Sequence, residues 1–163
     1  MKYLIIDGYN AISKIKRFNA KKDIILESSR MSFIRALAGF RQTNSLFDKI
    51  IIVFDGKGDS IGLAKELYGN IEILYSNRDK DADQVIVDII KAPSKNKITV
   101  ASDDNFIKNH ARAFSCDIMG IKKLEELISL KKEPLRGKII EKDFGNKNLD
   151  KITNELKEHW GIK

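Results

Sequence analysis

The sequence has few of the residues that hold small or metal-bound domains together. It contains one cysteine, Cys116, in 163 residues, which excludes an internal disulfide framework. Its two histidines, His110 and His159, are far apart and have no metal-ligand spacing with that cysteine, so a structural zinc site is not expected. No apolar run approaches the roughly 18 residues of a membrane-spanning helix. We therefore expect no disulfide core, no zinc module and no membrane partner.

Two nucleotide-binding motifs are also missing. The chain has no G-x-x-x-x-G-K-S/T loop for nucleoside triphosphates and no G-x-G-x-x-G after a predicted strand for dinucleotides. Its first apolar strand begins at residue 3, which leaves no room for a signal peptide. Together with the single cysteine, this start predicts a reducing, cytoplasmic setting.

Positive charge, in contrast, is in excess. Lysines and arginines number 30 against 23 acidic residues, and the formal net charge is +7. This balance favours a polyanionic partner, above all nucleic acid. The segment 11–22 has no acidic residue and is interpreted either as a patch that contacts phosphates or as a solvated loop; its basic residues are Lys14, Lys16, Arg17, Lys21 and Lys22. Phe18 and Asn19 interrupt this run in a way that suits contacts to a nucleic-acid strand.

Apolar strands and amphipathic helices alternate along the first 130 residues. Strands are predicted at 3–6, 49–54, 71–75, 97–101 and 116–119, and helices at 23–42, 61–68, 85–91, 105–114 and 121–130. The strand at 71–75 is weaker and is expected nearer an edge. This order predicts an α/β domain of three layers, with a mostly parallel central sheet of about five strands between helices.

The remaining segment, 131–163, has a different texture. Residues 131–147 are highly charged and weakly periodic, which predicts an exposed basic connector. Helical spacing returns over 149–160 and predicts a C-terminal helix. Its Trp160 is a candidate anchor for a partner or for a homodimer.

Acidic residues follow several predicted strands. Asp7, Asp55 and Asp103 each come at a strand's carboxyl end, and Asp83, with Asp81 close by, starts a helix on the same side. Because the carboxyl ends of parallel strands share one edge, these carboxylates are expected to gather there. Gathered carboxylates repel one another unless a cation neutralises them, although acids at a helix start also serve its dipole. All-oxygen ligands favour Mg²⁺ or Mn²⁺.

The opening strand supplies the central member of this acid group. Gly8 is expected to let the backbone turn sharply after Asp7, which brings Asn10 close to the acid. A divalent cation held by carboxylates suits phosphate chemistry, because it activates water and neutralises the charge that develops on phosphate. On a basic protein, the expected substrate is a nucleic-acid phosphodiester.

Four segments together resemble a known family. The opening YLIIDGYNAI, the strand IIVFDG, the acidic segment RDKDADQVI and the strand ITVASDD are similar to the YacP-like branch of the NYN domain family, which is related to PIN-domain nucleases. The resemblance covers roughly residues 1–130. It implies a PIN-like sheet and a metal-dependent endoribonuclease that hydrolyses single-stranded RNA, with Mg²⁺ or Mn²⁺ as cofactor.

The resemblance also implies roles for individual residues. Asp7, Asp83 and Asp103 match the family's metal-binding acids, and Asn10 would position a metal-bound water or the scissile phosphate. Supporting roles are expected for Asp55, Asp81, Ser102 and Asp104, with Ser102 orienting Asp103 by a hydrogen bond. The extra acids leave open whether Asp81 or Asp83, and whether Asp103 or Asp104, reaches the metal. The residues expected to hold the RNA backbone are Lys14, Lys16, Arg17 and Arg78.

Two other functions remain open. One is a non-catalytic RNA-binding or ribosome-associated module of the same type, in which the acids only cap helices. The other is a metal-dependent phosphohydrolase or nuclease that acts on DNA or on a small phosphoester. The basic segment 11–22 favours a polymer, but it does not separate RNA from DNA.

Overall fold

The computed structural model describes residues 1–19, 23–56 and 63–130. The predicted basic connector and C-terminal helix, and also Lys21 and Lys22, lie outside the described residues. Across the described ranges, no helix is both long and apolar enough to cross a membrane.

The chain forms strands and helices in alternation over most of these ranges. The strands are β1 (Lys2–Asp7), β2 (Lys49–Phe54), β3 (Ala64–Tyr68), β4 (Ile71–Tyr75), β5 (Lys97–Ala101) and β6 (Asp117–Met119). The helices are α1 (Gly8–Lys14), α2 (Asp23–Thr43), α3 (Ala82–Lys91), α4 (Asn105–Ala113) and α5 (Ile121–Ser129).

The strands form one sheet in the order β3-β4-β2-β1-β5-β6. Every pairing is parallel except that of β3 with β4, which is antiparallel. The predicted α/β class with a mostly parallel sheet is therefore confirmed. Because β1 lies between β2 and β5, the carboxyl end of β1 is at the middle of the edge where the parallel strands end.

The side chains of β1 alternate between two cores. Leu4 and Ile6 pack with residues of α1, α2 and α5 on one face, whereas Ile5 packs with residues of α3 and α4 on the other. All three side chains are completely buried. Burial on both faces explains why the sequence of this strand is apolar without alternation, and it fixes the position of Asp7 at the strand's end.

One predicted helix is wrong. Of the segment 61–68, residues Ala64–Tyr68 form strand β3, which pairs along β4 from Tyr68 opposite Ile71 to Ala64 opposite Tyr75. Gly69 and Asn70 form the tight connection, and Gly69 has a φ of 58°. A two-residue Gly-Asn connection is a hairpin signal that the helical interpretation overlooked. Within the described residues the sheet therefore has six strands, with β3 at its edge and β4 next to it.

The segment after β1 also differs from the prediction. Residues 8–14 form helix α1, where a sharp turn and a loop were expected. Asp7 caps this helix, since its side chain accepts a hydrogen bond from the Asn10 backbone N–H. Gly8 is the first helical residue, and a Cβ at this position would lie 2.3 Å from Cε1 of Phe54. Gly8 therefore permits close packing of α1 against β2.

A pair of glycine substitutions tests this packing. Gly8→Ala is expected to lower the free energy of unfolding by about 1–3 kcal/mol, because the Phe54 ring is completely buried and has little room to move. Gly39→Ala, in α2, brings the new Cβ within 4 Å of no atom of the described residues and should raise stability by about 0.5–1 kcal/mol. Urea unfolding measures both. Similar effects of the two substitutions would argue against the close approach at Gly8.

Candidate active site at the carboxyl edge of the sheet

Asp7 is buried at the centre of this edge. The residue is only 7% exposed to solvent. Oδ1 accepts a hydrogen bond from the Asn10 N–H at 3.4 Å, and Oδ2 accepts one from the Ser102 hydroxyl at 3.3 Å. The position follows from the sequence, because four apolar residues of β1 carry the chain through the core to this point.

Burial and neighbouring charges disfavour ionisation of Asp7. Desolvation raises its pKa most, the charges of Asp83 and Asp55 raise it further, and the hydrogen bonds from Asn10 and Ser102 oppose these effects; the resulting pKa is about 6. The folded state therefore holds the proton more tightly than the unfolded state. Between the ordinary pKa of 3.8 and about 6, stability falls as pH rises, by about 3 kcal/mol in total.

Asp83 lies in the first turn of α3 and is the second acid whose pKa is raised. Desolvation is the largest cause, followed by the charges of Asp104, Asp81 and Asp55. Asp81 precedes it as the N-cap of α3 and accepts a hydrogen bond from the Gln84 N–H at 2.8 Å. Asp81 therefore caps α3, and Asp83 is the member of the pair whose ionisation burial and the neighbouring acids disfavour.

Asp55 joins β2 to the beginning of α3. Its Oδ1 accepts hydrogen bonds from the Ala82 N–H at 2.7 Å and from the Ser76 hydroxyl at 3.2 Å. The Ser76 hydroxyl oxygen also accepts one from the Gly56 N–H at 3.1 Å. Sequence reasoning did not single out Ser76, although it comes directly after a strand, as the acids do.

Asp103 is turned towards basic and backbone groups. Its Oδ1 accepts a hydrogen bond from the Ile121 N–H at 3.0 Å, and its Oδ2 forms an ion pair with Lys14 at 3.2 Å. Partial desolvation raises its pKa, but the Ile121 hydrogen bond and Lys14 outweigh it, and the pKa lies below the usual value. The Asp103 N–H donates to Asn10 Oδ1 at 3.0 Å. Asp103 and Asn10 thus connect α1 with the segment between β5 and α4.

Asp104 caps α4, and its charge acts on Asp83. Its Oδ1 accepts a hydrogen bond from the Phe106 N–H at 2.8 Å, and its charge is the first of those that raise the pKa of Asp83. The Ser102 hydroxyl donates to Asp7 and accepts from the Asp104 N–H at 3.1 Å. The predicted hydrogen bond from Ser102 to Asp103 is therefore wrong, because the buried hydroxyl points towards Asp7.

We define the acid group as Asp7, Asp55, Asp83 and Asp104. Charges within this group raise the pKa values of Asp7 and Asp83. Its carboxylate oxygens are the kind of ligand that a hard divalent cation prefers. Among the described residues, however, no three His, Cys, Asp or Glu side chains are placed so that they would hold one ion. The predicted ligands Asp7, Asp83 and Asp103 do not converge in this arrangement, and their metal role stays a prediction.

The predicted RNA-contacting residues lie in α1, in the turn after it and in the segment between β4 and α3. Lys14 is engaged with Asp103, whereas Lys16 is exposed beyond the end of α1. Arg17 is also exposed, and its guanidinium lies 4.6 Å from the centre of the Phe18 ring. Phe18 itself is buried against Phe33, so the expectation that it suits strand contacts is wrong. Arg78 lies in the exposed segment between β4 and α3.

Arg30 is a residue that sequence reasoning missed. Helical spacing places it off the apolar stripe of α2, which predicts a solvated side chain. In the structure it is half-buried, with its guanidinium 5.3 Å from the Tyr75 ring centre and 5.7 Å from that of Phe54. It also donates to the Tyr9 hydroxyl at 3.5 Å. Arg30 thus packs against the aromatic residues that end β2 and β4.

Asp88 lies apart from the acid group on the same helix as Asp83. Lys80 pairs with it, and Gln84 Nε2 donates to it at 2.9 Å. The Lys80 contact is the largest cause of a pKa below the usual value. Residues five apart in a helix are about 140° apart around its axis, so Asp88 lies on a different face of α3 from Asp83.

Comparisons with known proteins agree with the resemblance seen in the sequence. The family model described as the YacP-like NYN domain matches residues 4–161. The crystal structure of Rae1 (YacP) from Bacillus subtilis superimposes with a TM-score of 0.64 at 18% identity, over 99% of this chain and 84% of that chain. A point mutant of Rae1 gives 0.63 at 20% identity, over 78% and 75%. At such identities the likeness shows the fold alone. A comparison with curated proteins gives no match.

Proposed function

We propose that this chain, which belongs to the YacP-like NYN domain family, is a metal-dependent endoribonuclease that hydrolyses phosphodiester bonds of single-stranded RNA. The family is of nuclease type. The observation that carries the proposal is Asp7, a buried carboxylate whose pKa is raised to about 6 at the centre of the sheet's carboxyl edge. Strongly perturbed acids in such a position are typical of functional sites.

A cation would be held mainly by Asp7 and Asp83, the two acids whose pKa values are raised. Asp104 is the better third ligand, because its charge raises the pKa of Asp83 more than that of any other described acid, whereas Asp103 would first have to leave Lys14. When bound, Mg²⁺ or Mn²⁺ supplies an activated water and neutralises charge on the phosphate. Asp55 and Ser102 would hold the ends of β2 and β5 in place around it.

Other residues of the chain would bind and orient the RNA. The side-chain oxygen of Asn10 accepts a hydrogen bond from the Asp103 N–H, and its amide nitrogen would donate to an oxygen of the scissile phosphate. Lys16, Arg17 and Arg78, all exposed, would contact neighbouring phosphates. The net charge of +7 favours such a substrate over a small neutral one.

Cleavage of labelled single strands tests the proposal. The purified chain is incubated with RNA and with DNA of the same sequence, in Mn²⁺, in Mg²⁺ or in EDTA. We expect internal cleavage of RNA with either metal and none in EDTA. Cleavage of DNA alone would assign the site to a DNA nuclease, and RNA cleavage that persists in EDTA would contradict a metal-dependent mechanism.

A non-catalytic RNA-binding module is the second candidate, and one observation favours it. No three acidic side chains of the described residues are already gathered around a single point. Such a module, free or associated with the ribosome, would bind RNA in the assay without cutting it. Retention of RNA on a filter, with no cleavage in any metal, would select this function.

A further inference from the structure

An exposed aromatic side chain stands in a cavity that is otherwise polar. Phe106, in the first turn of α4, is 48% exposed. It forms one wall of an open cavity of about 370 Å³, whose lining residues are Asp79, Lys80, Asp81, Asp83, Gln84 and Phe106. Since Asp83 belongs to the acid group, this aromatic wall directly adjoins the candidate active site.

His110 supports the Phe106 ring from within the same helix. The two ring centres are 4.4 Å apart, with the planes tilted by 53°. The Nδ1–H of His110 donates to the Phe106 carbonyl oxygen at 2.9 Å, which fixes the orientation of the imidazole. This support restricts the motion of the Phe106 ring, although much of that ring is open to solvent.

The chemistry of this cavity selects its occupant. Asp79 and Asp81 on its walls disfavour a phosphate group inside the cavity, because the neighbouring Lys80 is paired with Asp88. An exposed phenyl ring offers no hydrogen bond to a sugar. A nucleobase is neutral, carries N–H donors that carboxylates accept, and has a flat face that stacks on aromatic rings. The cavity volume is within the range of small-ligand sites.

We propose that Phe106, supported by His110, stacks an unpaired nucleobase of the RNA next to the cleavage position. This inference rests on the proposed function, and it makes Phe106 a substrate-positioning residue. Stacking on the ring would place the adjoining phosphate beside Asp83 and Asp7. It would also require an unpaired base, which gives a physical reason for a preference for single strands.

The test compares Phe106→Ala with Phe106→Tyr and with Phe114→Ala. Phe114 is a matched control, because it is 46% exposed and lies at the opposite end of α4, away from this cavity. Loss of one base stack corresponds to a rise of roughly 5- to 150-fold in KM for RNA cleavage. Phe106→Tyr should restore wild-type KM, and Phe114→Ala should not change it.

Fluorescence gives a readout that does not depend on cleavage. Oligoribonucleotides with 2-aminopurine at successive positions should show quenching at one position with the wild type, and recovery of that signal with Phe106→Ala. Equal KM and equal quenching in Phe106→Ala and Phe114→Ala would overturn the inference while leaving the nuclease proposal intact. If the wild type binds RNA without cutting it, the nuclease proposal fails and the position-specific quenching still decides the role of Phe106.

Discussion

Replacement of Asp7 by asparagine is expected to abolish RNA cleavage while making the protein more stable at neutral pH. Asparagine keeps the size of the side chain and an oxygen to accept from the Asn10 N–H, and its amide can donate to the Ser102 hydroxyl oxygen. It removes a buried charge that the surrounding acids repel. The variant therefore separates the chemical role of the carboxylate from its structural one.

The sign of the stability change follows from the raised pKa. Below pH 3.8 the carboxyl is protonated in both states, so wild type and variant should be similar. As pH rises to about 6, the wild type loses stability that the variant keeps. Above that pH the variant should be about 2–3 kcal/mol more stable in EDTA.

Urea unfolding at several pH values from 4 to 8, together with the RNA cleavage assay, measures both effects. Asp117→Asn is a suitable control, because Asp117 has a half-exposed side chain in β6 and pairs with Lys97. It should leave activity unchanged and should not show the same pH-dependent gain. An Asp7→Asn protein that cleaves at the wild-type rate, or that is less stable than wild type at pH 7, would contradict this account.

Replacement of Asp83 by asparagine is expected to have the second largest effect, a loss of cleavage of at least about 100-fold. Asp83 interacts with both Asp7 and Asp104. Its charge raises the pKa of Asp7, and the charge of Asp104 raises the pKa of Asp83. Its removal should weaken the hold on a cation without disturbing α3, whose N-cap is Asp81.

Asp88 provides the matched control on the same helix. Its carboxylate is engaged with Lys80 and Gln84, away from the acid group. Asp88→Asn should therefore retain cleavage within about two-fold of wild type, whereas higher Mn²⁺ concentrations should partly restore Asp83→Asn. Equal losses in the two variants would show that α3 contributes structure rather than ligands.

The central strands of the fold were predictable because a strand that is buried on both faces has an apolar sequence. β1, β2 and β5 are short apolar runs that end on polar residues. Helix α1 has no comparable sequence pattern, because it has only seven residues and depends on the Asp7 cap and on packing against Phe54. Strand β3 is exposed along its whole length, so its pairing with β4 rather than its composition determines its structure.

The acids of the site were predictable for a topological reason, but their orientations were not. Parallel strands that end on Asp7, Asp55 and Asp103 must bring these residues to one edge. Which carboxylate faces inward depends on partners from elsewhere in the chain. The Asp103 carboxylate pairs with Lys14 in α1 and accepts a hydrogen bond from the Ile121 N–H, whereas the charge of Asp104 acts on Asp83. Neither contact can be read from local spacing.

Calorimetric titration of Mn²⁺ into the purified chain at pH 7.5 tests most directly whether the acid group acts as one cation site. We expect saturable binding to the wild type and to Asp88→Asn, and a loss of that binding in both Asp7→Asn and Asp83→Asn. Wild-type protein that shows no saturable binding, or Asp7→Asn protein that binds Mn²⁺ as the wild type does, would contradict this expectation.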